Sequence, residues 1–122
     1  MLTEVLLPET IAHQDGMGKV LEIDSGKAAW LLTLSISRIL EHESLELVVS
    51  GSPDSEHWLP VAKFPRKFYC GTYSQWLDLS THPGVRYLRA DWKISRWGLA
   101  EDNVLCTFNL SVRPGKVMHA GA

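Results

Sequence analysis

The stretch Val104-Leu105-Cys106-Thr107-Phe108-Asn109-Leu110-Ser111-Val112 decides the fold class. Val104, Cys106, Phe108, Leu110 and Val112 fall on one face of an extended chain, and Leu105, Thr107, Asn109 and Ser111 on the other. Side chains alternate across a strand with period two, so this is a strand with one face in a core and one toward water. Pro114 and Gly115 end it. The same alternation recurs upstream. Leu88, Ala90, Trp92 and Ile94 oppose Tyr87, Arg89, Asp91 and Lys93, and Leu45, Leu47 and Val49 oppose Glu46, Val48 and Ser50. Trp30, Leu32, Leu34 and Ile36 oppose Leu31, Thr33, Ser35 and Ser37. The leucines of 30–42 would suit a helix, but a helix would scatter Thr33, Ser35 and Ser37 around its surface, so the stretch is read as a strand.

Weaker patterns add strands at Leu21–Ile23, Trp58–Phe64 and Tyr73–Leu79. Val5–Ile11 is expected at a sheet edge, because Pro8 has no N–H to give to a ladder. Turn-forming clusters separate these segments: Asp15–Gly18, Ser25–Lys27, Glu41–Ser44, Ser50–Asp54 and His82–Gly84. About eight short strands at this spacing predict an all-β, two-sheet antiparallel sandwich. One domain over 1–113 and a loose tail over 114–122 complete the reading.

Bulk composition narrows the function classes. The chain has 122 residues, of which 45% are hydrophobic, with 12 basic and 14 acidic residues and a formal net charge of -2. That length suits one core. So balanced a charge gives no electrostatic case for nucleic acid or for an anionic membrane. No apolar run reaches the roughly 18 residues of a membrane span. The first ten residues hold Glu4 and Glu9 but no Lys or Arg, unlike a secretory signal. A cytoplasmic location, or a place in a particle assembled there, is expected. Cys70 and Cys106 are read as reduced thiols, with one disulfide between neighbouring strands as the alternative.

Ser52-Pro53-Asp54-Ser55-Glu56-His57-Trp58 resembles the Ser-x-Asp-Gly-x-x-Trp hairpin of β-sandwich modules. Discoidin-like domains carry it, as do small structural proteins of tailed phages and prophages. In that pattern the Asp caps the turn, the next residue is left-handed, and the Trp returns to the core. Ser55 stands where the pattern has Gly. Leu45–Asp54, Val85–Trp92 and Cys106–Val112 are similar, in the same order, to strands of the phage-like group. The resemblance implies a jelly-roll or galactose-binding-like sandwich. It also implies a structural or assembly role through protein–protein contacts.

The sequence holds no nucleophile elbow, phosphate loop or His-Glu-x-x-His motif, and the chain is read as a non-enzyme without cofactor. Asp78 and Asp91 are read as surface carboxylates rather than a catalytic pair. The five histidines lie near turns or termini without ligand spacing, and no metal is expected. Asp54, Glu56 and His57 lie close enough in sequence to touch a cation, but a solvated hairpin tip is the preferred reading.

Two aromatic stretches remain as candidate contact sites. Phe64–Trp76 packs five aromatic residues around Arg66 and Lys67, too many rings for one sheet face to bury. Tyr69, Tyr73 and Trp76 are its candidates for partner contact. The alternative is that Phe64, Phe68 and Trp76 close one end of the core. Arg96 and Trp97 open a long connection between two strands, where they suit an interface or a lid with Arg96 in a salt bridge. A protein partner or self-assembly is the first expectation, and a carbohydrate stacked on these rings is the alternative.

Overall fold

The computed structural model describes residues 4–23, 29–98 and 104–115. They form nine strands: β1 (Glu4–Ala12), β2 (Gly16–Met17), β3 (Leu21–Glu22), β4 (Ala29–Ile39), β5 (Glu43–Ser52), β6 (Leu59–Lys67), β7 (Gly71–Asp78), β8 (Tyr87–Arg96) and β9 (Cys106–Pro114). Two antiparallel sheets result, in the orders β1-β9-β4-β7 and β2-β8-β5-β6, with β3 also on β8. The chain is thus the expected two-sheet antiparallel sandwich. Among the described residues there is no helix long and apolar enough to cross a membrane.

The core is the sum of the alternations read from the sequence. Register pairs Leu32 with Val112, Leu34 with Leu110 and Ile36 with Phe108 across β4 and β9. In the facing sheet Leu45 lies beside Ile94, Leu47 beside Trp92 and Val49 beside Ala90. Apart from Trp92, which is half-buried, all of these are buried. Each such Leu removed from water contributes on the order of 2 kcal/mol. Trp92 meets Phe108 edge-on at 5.4 Å between ring centroids, tying one sheet to the other.

The nine strands agree with the expected eight or so, the added one being β2. Three expectations need correction. Asp15–Gly18 is not a plain turn: Gly16 and Met17 pair with Trp92 and Asp91. A Cβ on Gly16 would collide with the Trp92 indole, so glycine lets the backbone lie over the ring. The Trp92 indole N–H then donates to the Gln14 carbonyl at 2.9 Å. Ser50–Asp54 does not all turn, because Ser50–Ser52 remain in β5. Trp58 does not return to the core. It is half-buried, with the Arg89 guanidinium 4.3 Å over its ring.

Other expectations hold. β1 is an edge strand, and its register with β9 shifts on either side of Leu7, on the approach to and across Pro8. The hairpin has the capped geometry: Asp54 Oδ1 accepts from the N–H groups of Glu56 and His57 at 2.9 Å. Ser52 Oγ accepts from Asp54 and Ser55, and Ser55 takes φ 66° in the position where Gly is usual. The Ser25–Lys27 turn lies outside the described residues, as do residues 116–122 of the tail.

Leu34→Ala should lower stability by about 2–5 kcal/mol, the range for an emptied Leu site. Ser35→Ala, on the outer face of the same strand, should change it by about 0.5 kcal/mol or less. Urea denaturation of both variants measures the contrast. Similar losses at the two positions would contradict the assignment of faces.

Candidate functional site

The link from β6 to β7 crosses from one sheet to the other, and it carries rings that neither sheet face can bury. Phe64, at the inner face of β6, is core. Phe68 and Tyr69 sit in the crossing loop, with Tyr69 77% exposed. The Tyr73 hydroxyl donates to the Tyr69 carbonyl at 2.7 Å and holds the loop over the start of β7. Lys67 places its ammonium 4.6 Å from the Tyr73 ring centroid, a cation–π contact.

A second wall comes from the β4–β5 corner and the end of β8. His42 turns the corner at φ 56°. Trp97 donates its backbone N–H to the His42 carbonyl at 3.0 Å, and Arg96 Nε donates to the Glu41 carbonyl at 2.9 Å. The Trp97 ring then stacks on His42 at 5.9 Å and meets Phe68 edge-on at 6.0 Å. The Arg66 guanidinium lies 5.5 Å from Phe68 and 5.9 Å from Trp97, while its Nε donates to Ser44 Oγ. The two walls enclose an open cavity of about 500 Å³ lined by Leu40, His42, Glu43, Phe68, Tyr69 and Trp97, among others.

Glu43 fixes the floor of this cup. It is 1% exposed, yet both carboxylate oxygens are occupied. Oε1 accepts from the Leu40 N–H at 3.1 Å, and Oε2 from the Leu105 N–H at 2.9 Å. A buried carboxylate is tolerated where such donors replace water. Glu43 and Ser44, expected in a polar corner, are instead the buried first residues of β5. The signal was present: Glu43 continues the Leu45, Leu47, Val49 alternation by one step. His42 and its positive φ carried no sequence signal.

The candidates named from sequence divide among three places. Tyr69 and Trp97 line the cup, and Arg96 secures it from behind. Tyr73 lies beside it, in a groove shared with Lys63, Lys67 and Gln75. Trp76 is apart from them, 44% exposed on the outer face of β7 and opposite Leu31 of β4. Phe68 is also exposed, so of the three rings considered as a core plug only Phe64 is one.

The acidic residues and cysteines singled out from the sequence lie apart from the cup, except Cys70 on its rim. Asp78 and Asp91 lie on strands of opposite sheets. Asp78 accepts from the Ser80 N–H, which holds its carboxyl below the usual range, and Asp91 lies 3.6 Å from Arg89 Nε. Asp54, Glu56 and His57 place one ligand atom each within 4.8 Å of one another, all exposed. The Asp54 oxygens already serve two backbone N–H groups and His57 Nδ1 at 2.6 Å. Cys70 and Cys106 are both free, the first exposed and the second buried. Burial, reinforced by Glu43 and then Cys70, pushes the Cys106 thiol up to about 12.

The sandwich is similar to solved structures in spite of little sequence identity. The SPBc2 prophage-derived protein YomS superposes with a TM-score of 0.55 at 7% identity, over 91% of this chain and 90% of that one. A chain of infectious bursal disease virus, Gx strain, superposes with a TM-score of 0.58 at 10% identity, covering 91% of this chain and 30% of the viral one. At these identities the likeness is one of fold. No family model matches the chain, and no curated protein matches it in sequence.

Two measurements check the local chemistry. A thiol reagent should modify Cys70 alone in the folded protein and both cysteines in denaturant, since only a thiolate attacks. Modification of Cys106 under native conditions would contradict its burial. The His57 and Glu56 backbone donors and the His57 ring hold the Asp54 carboxyl well below its ordinary 3.8. Its contribution to stability is therefore fully present above that value and is lost as the pH falls through the lowered one. Carbon-13 detection of the Asp54 carboxyl should show no titration step near 3.8.

Proposed function

We propose that this chain is a non-enzymatic structural or assembly protein of phage type, located in the cytoplasm or in a virion and acting through protein–protein contacts. The observation that carries the reading is the aromatic cup at one end of the sandwich. Phe68, Tyr69 and Trp97 stand exposed there on a base tied by Glu43, Arg96 and the Trp97–His42 bond. Exposed rings with an Arg beside them are the residue types that dominate protein interfaces. Fixing them before contact reduces the ordering cost of association.

Strand order supports the same reading. With β2 and β3 counted as one interrupted strand on β8, the orders β1-β9-β4-β7 and β2/β3-β8-β5-β6 are those of a jelly roll, an architecture common in viral shells. The likeness to a prophage-derived protein over nine-tenths of both chains is in keeping with it. Fold likeness alone does not carry function across, so the cup is the part to test.

Mass spectrometry of phage-like particles released by cells that encode the chain should find it in stoichiometric amount. Trp97→Ala and Tyr69→Ala should exclude it from particles while leaving its circular dichroism unchanged. Its absence from every particle would overturn the reading. Absence joined to glycan-array binding that Trp97→Ala removes would put carbohydrate recognition in its place.

A further inference from the structure

A sandwich has four sheet edges, and three of them here are blocked by devices that natural proteins use against strand pairing. β1 carries Pro8, Glu4 and Glu9 and two breaks in register. β2 and β3 are two residues each. β6 carries Pro60, Pro65, Lys63 and Arg66, and its pairing with β5 is also broken twice. Gln75 Nε2 reaches across from β7 and donates to the Lys63 carbonyl at 2.8 Å, covering part of the β6 edge as well.

The β7 edge has none of these. Gly71–Asp78 contains no Pro, Lys or Arg, and it pairs with β4 in unbroken register from Gly71 to Asp78. Among the described residues, no backbone hydrogen bond outside the strand ladders engages its N–H or carbonyl groups. Every second residue of a strand turns these groups to the side away from its neighbour, so the open side of β7 offers a row of them. The outward side chains Thr72, Ser74 and Trp76 are exposed and uncharged.

We infer that β7 pairs with β7 of a second copy, antiparallel across a two-fold axis at Ser74, to join two four-stranded sheets into one of eight. This extends the assembly reading above and names the first contact in it. Centring on Ser74 sets Trp76 across from the partner's Thr72 and Thr72 across from the partner's Trp76. Aromatic and β-branched side chains are a favourable cross-strand pair, and the half-exposed indole gains cover. Within the two paired strands no like charges meet, since Asp78 falls across from the partner's Cys70; the flanking Lys63 and Lys67 belong to β6. A two-fold interface has to be self-complementary, and this strand satisfies that with its own sequence.

Light scattering on the full chain over a concentration series tests the pairing. The expected mass is twice 13.7 kDa. Ser74→Lys and Ser74→Glu each set like charges against themselves at the axis, and each should weaken the dimer by about tenfold or more. Mixing the two variants should restore a heterodimer. Circular dichroism and thermal melting check that both variants remain folded, and the wild-type mass needs no variant. A monomer at every concentration overturns the inference, as does a dimer indifferent to both charges. Hydrogen exchange that protects β7 only inside particles, with a monomer in solution, assigns the edge to a different protein and also overturns it. The two proposals fail separately. A charge-sensitive dimer absent from particles defeats the assembly reading alone, whereas a monomer incorporated through Trp97 defeats the pairing alone.

Discussion

Everything in this molecule depends on burial at every second residue along β4, β5, β8 and β9. Four strands with that period cannot satisfy themselves in one layer, because one face of each would stay greasy and wet. Placing β4 and β9 over β5 and β8 removes both faces from water at once. The remaining strands are shorter, bulged or at edges, and they are positioned by this block rather than contributing equally to it. The cup is also a product of it, since its walls are the connections at one end of the block.

Strands were legible because period two is a local property that neighbouring residues cannot hide. Trp30 to Ile36 and Cys106 to Val112 declare their buried faces without reference to any partner. The turns were legible only in part. Gly16 read as a turn residue because glycine usually marks one, whereas its lack of a side chain serves the close approach of Trp92, which is distant in sequence. Trp58 is expected in the core because its hairpin resembles one whose Trp turns inward. Arg89, brought beside it by folding, gives it a half-exposed place instead. These misreadings share a cause: the deciding contact lies on another strand.

The candidate site was legible as a list of residues and not as an arrangement. Tyr69 and Tyr73 stand out because their stretch holds more rings than sheet faces can bury, and Trp97 because it opens a long connection beside Arg96. Sequence could not show that Tyr69 and Trp97 share one cavity while Trp76 stands on a separate face. Nor could it show that Glu43, spaced like a core leucine, holds two loop N–H groups below them. A carboxylate at a hydrophobic position is the clue of this kind that sequence does offer, and it points to backbone donors nearby.

The strand order has a consequence for biosynthesis. β9 lies between β1 and β4, yet it is the last of the nine strands in chain order. As the ribosome works through the message, β1 and β4 must wait side by side without the strand that joins them, and Leu7, Leu32 and Leu34 wait with them. Closure of that sheet is therefore a late and nonlocal event, of the sort that folds slowly and exposes nascent chains to aggregation. A chain released before Cys106 would hold every strand of one sheet and lack a middle strand of the other.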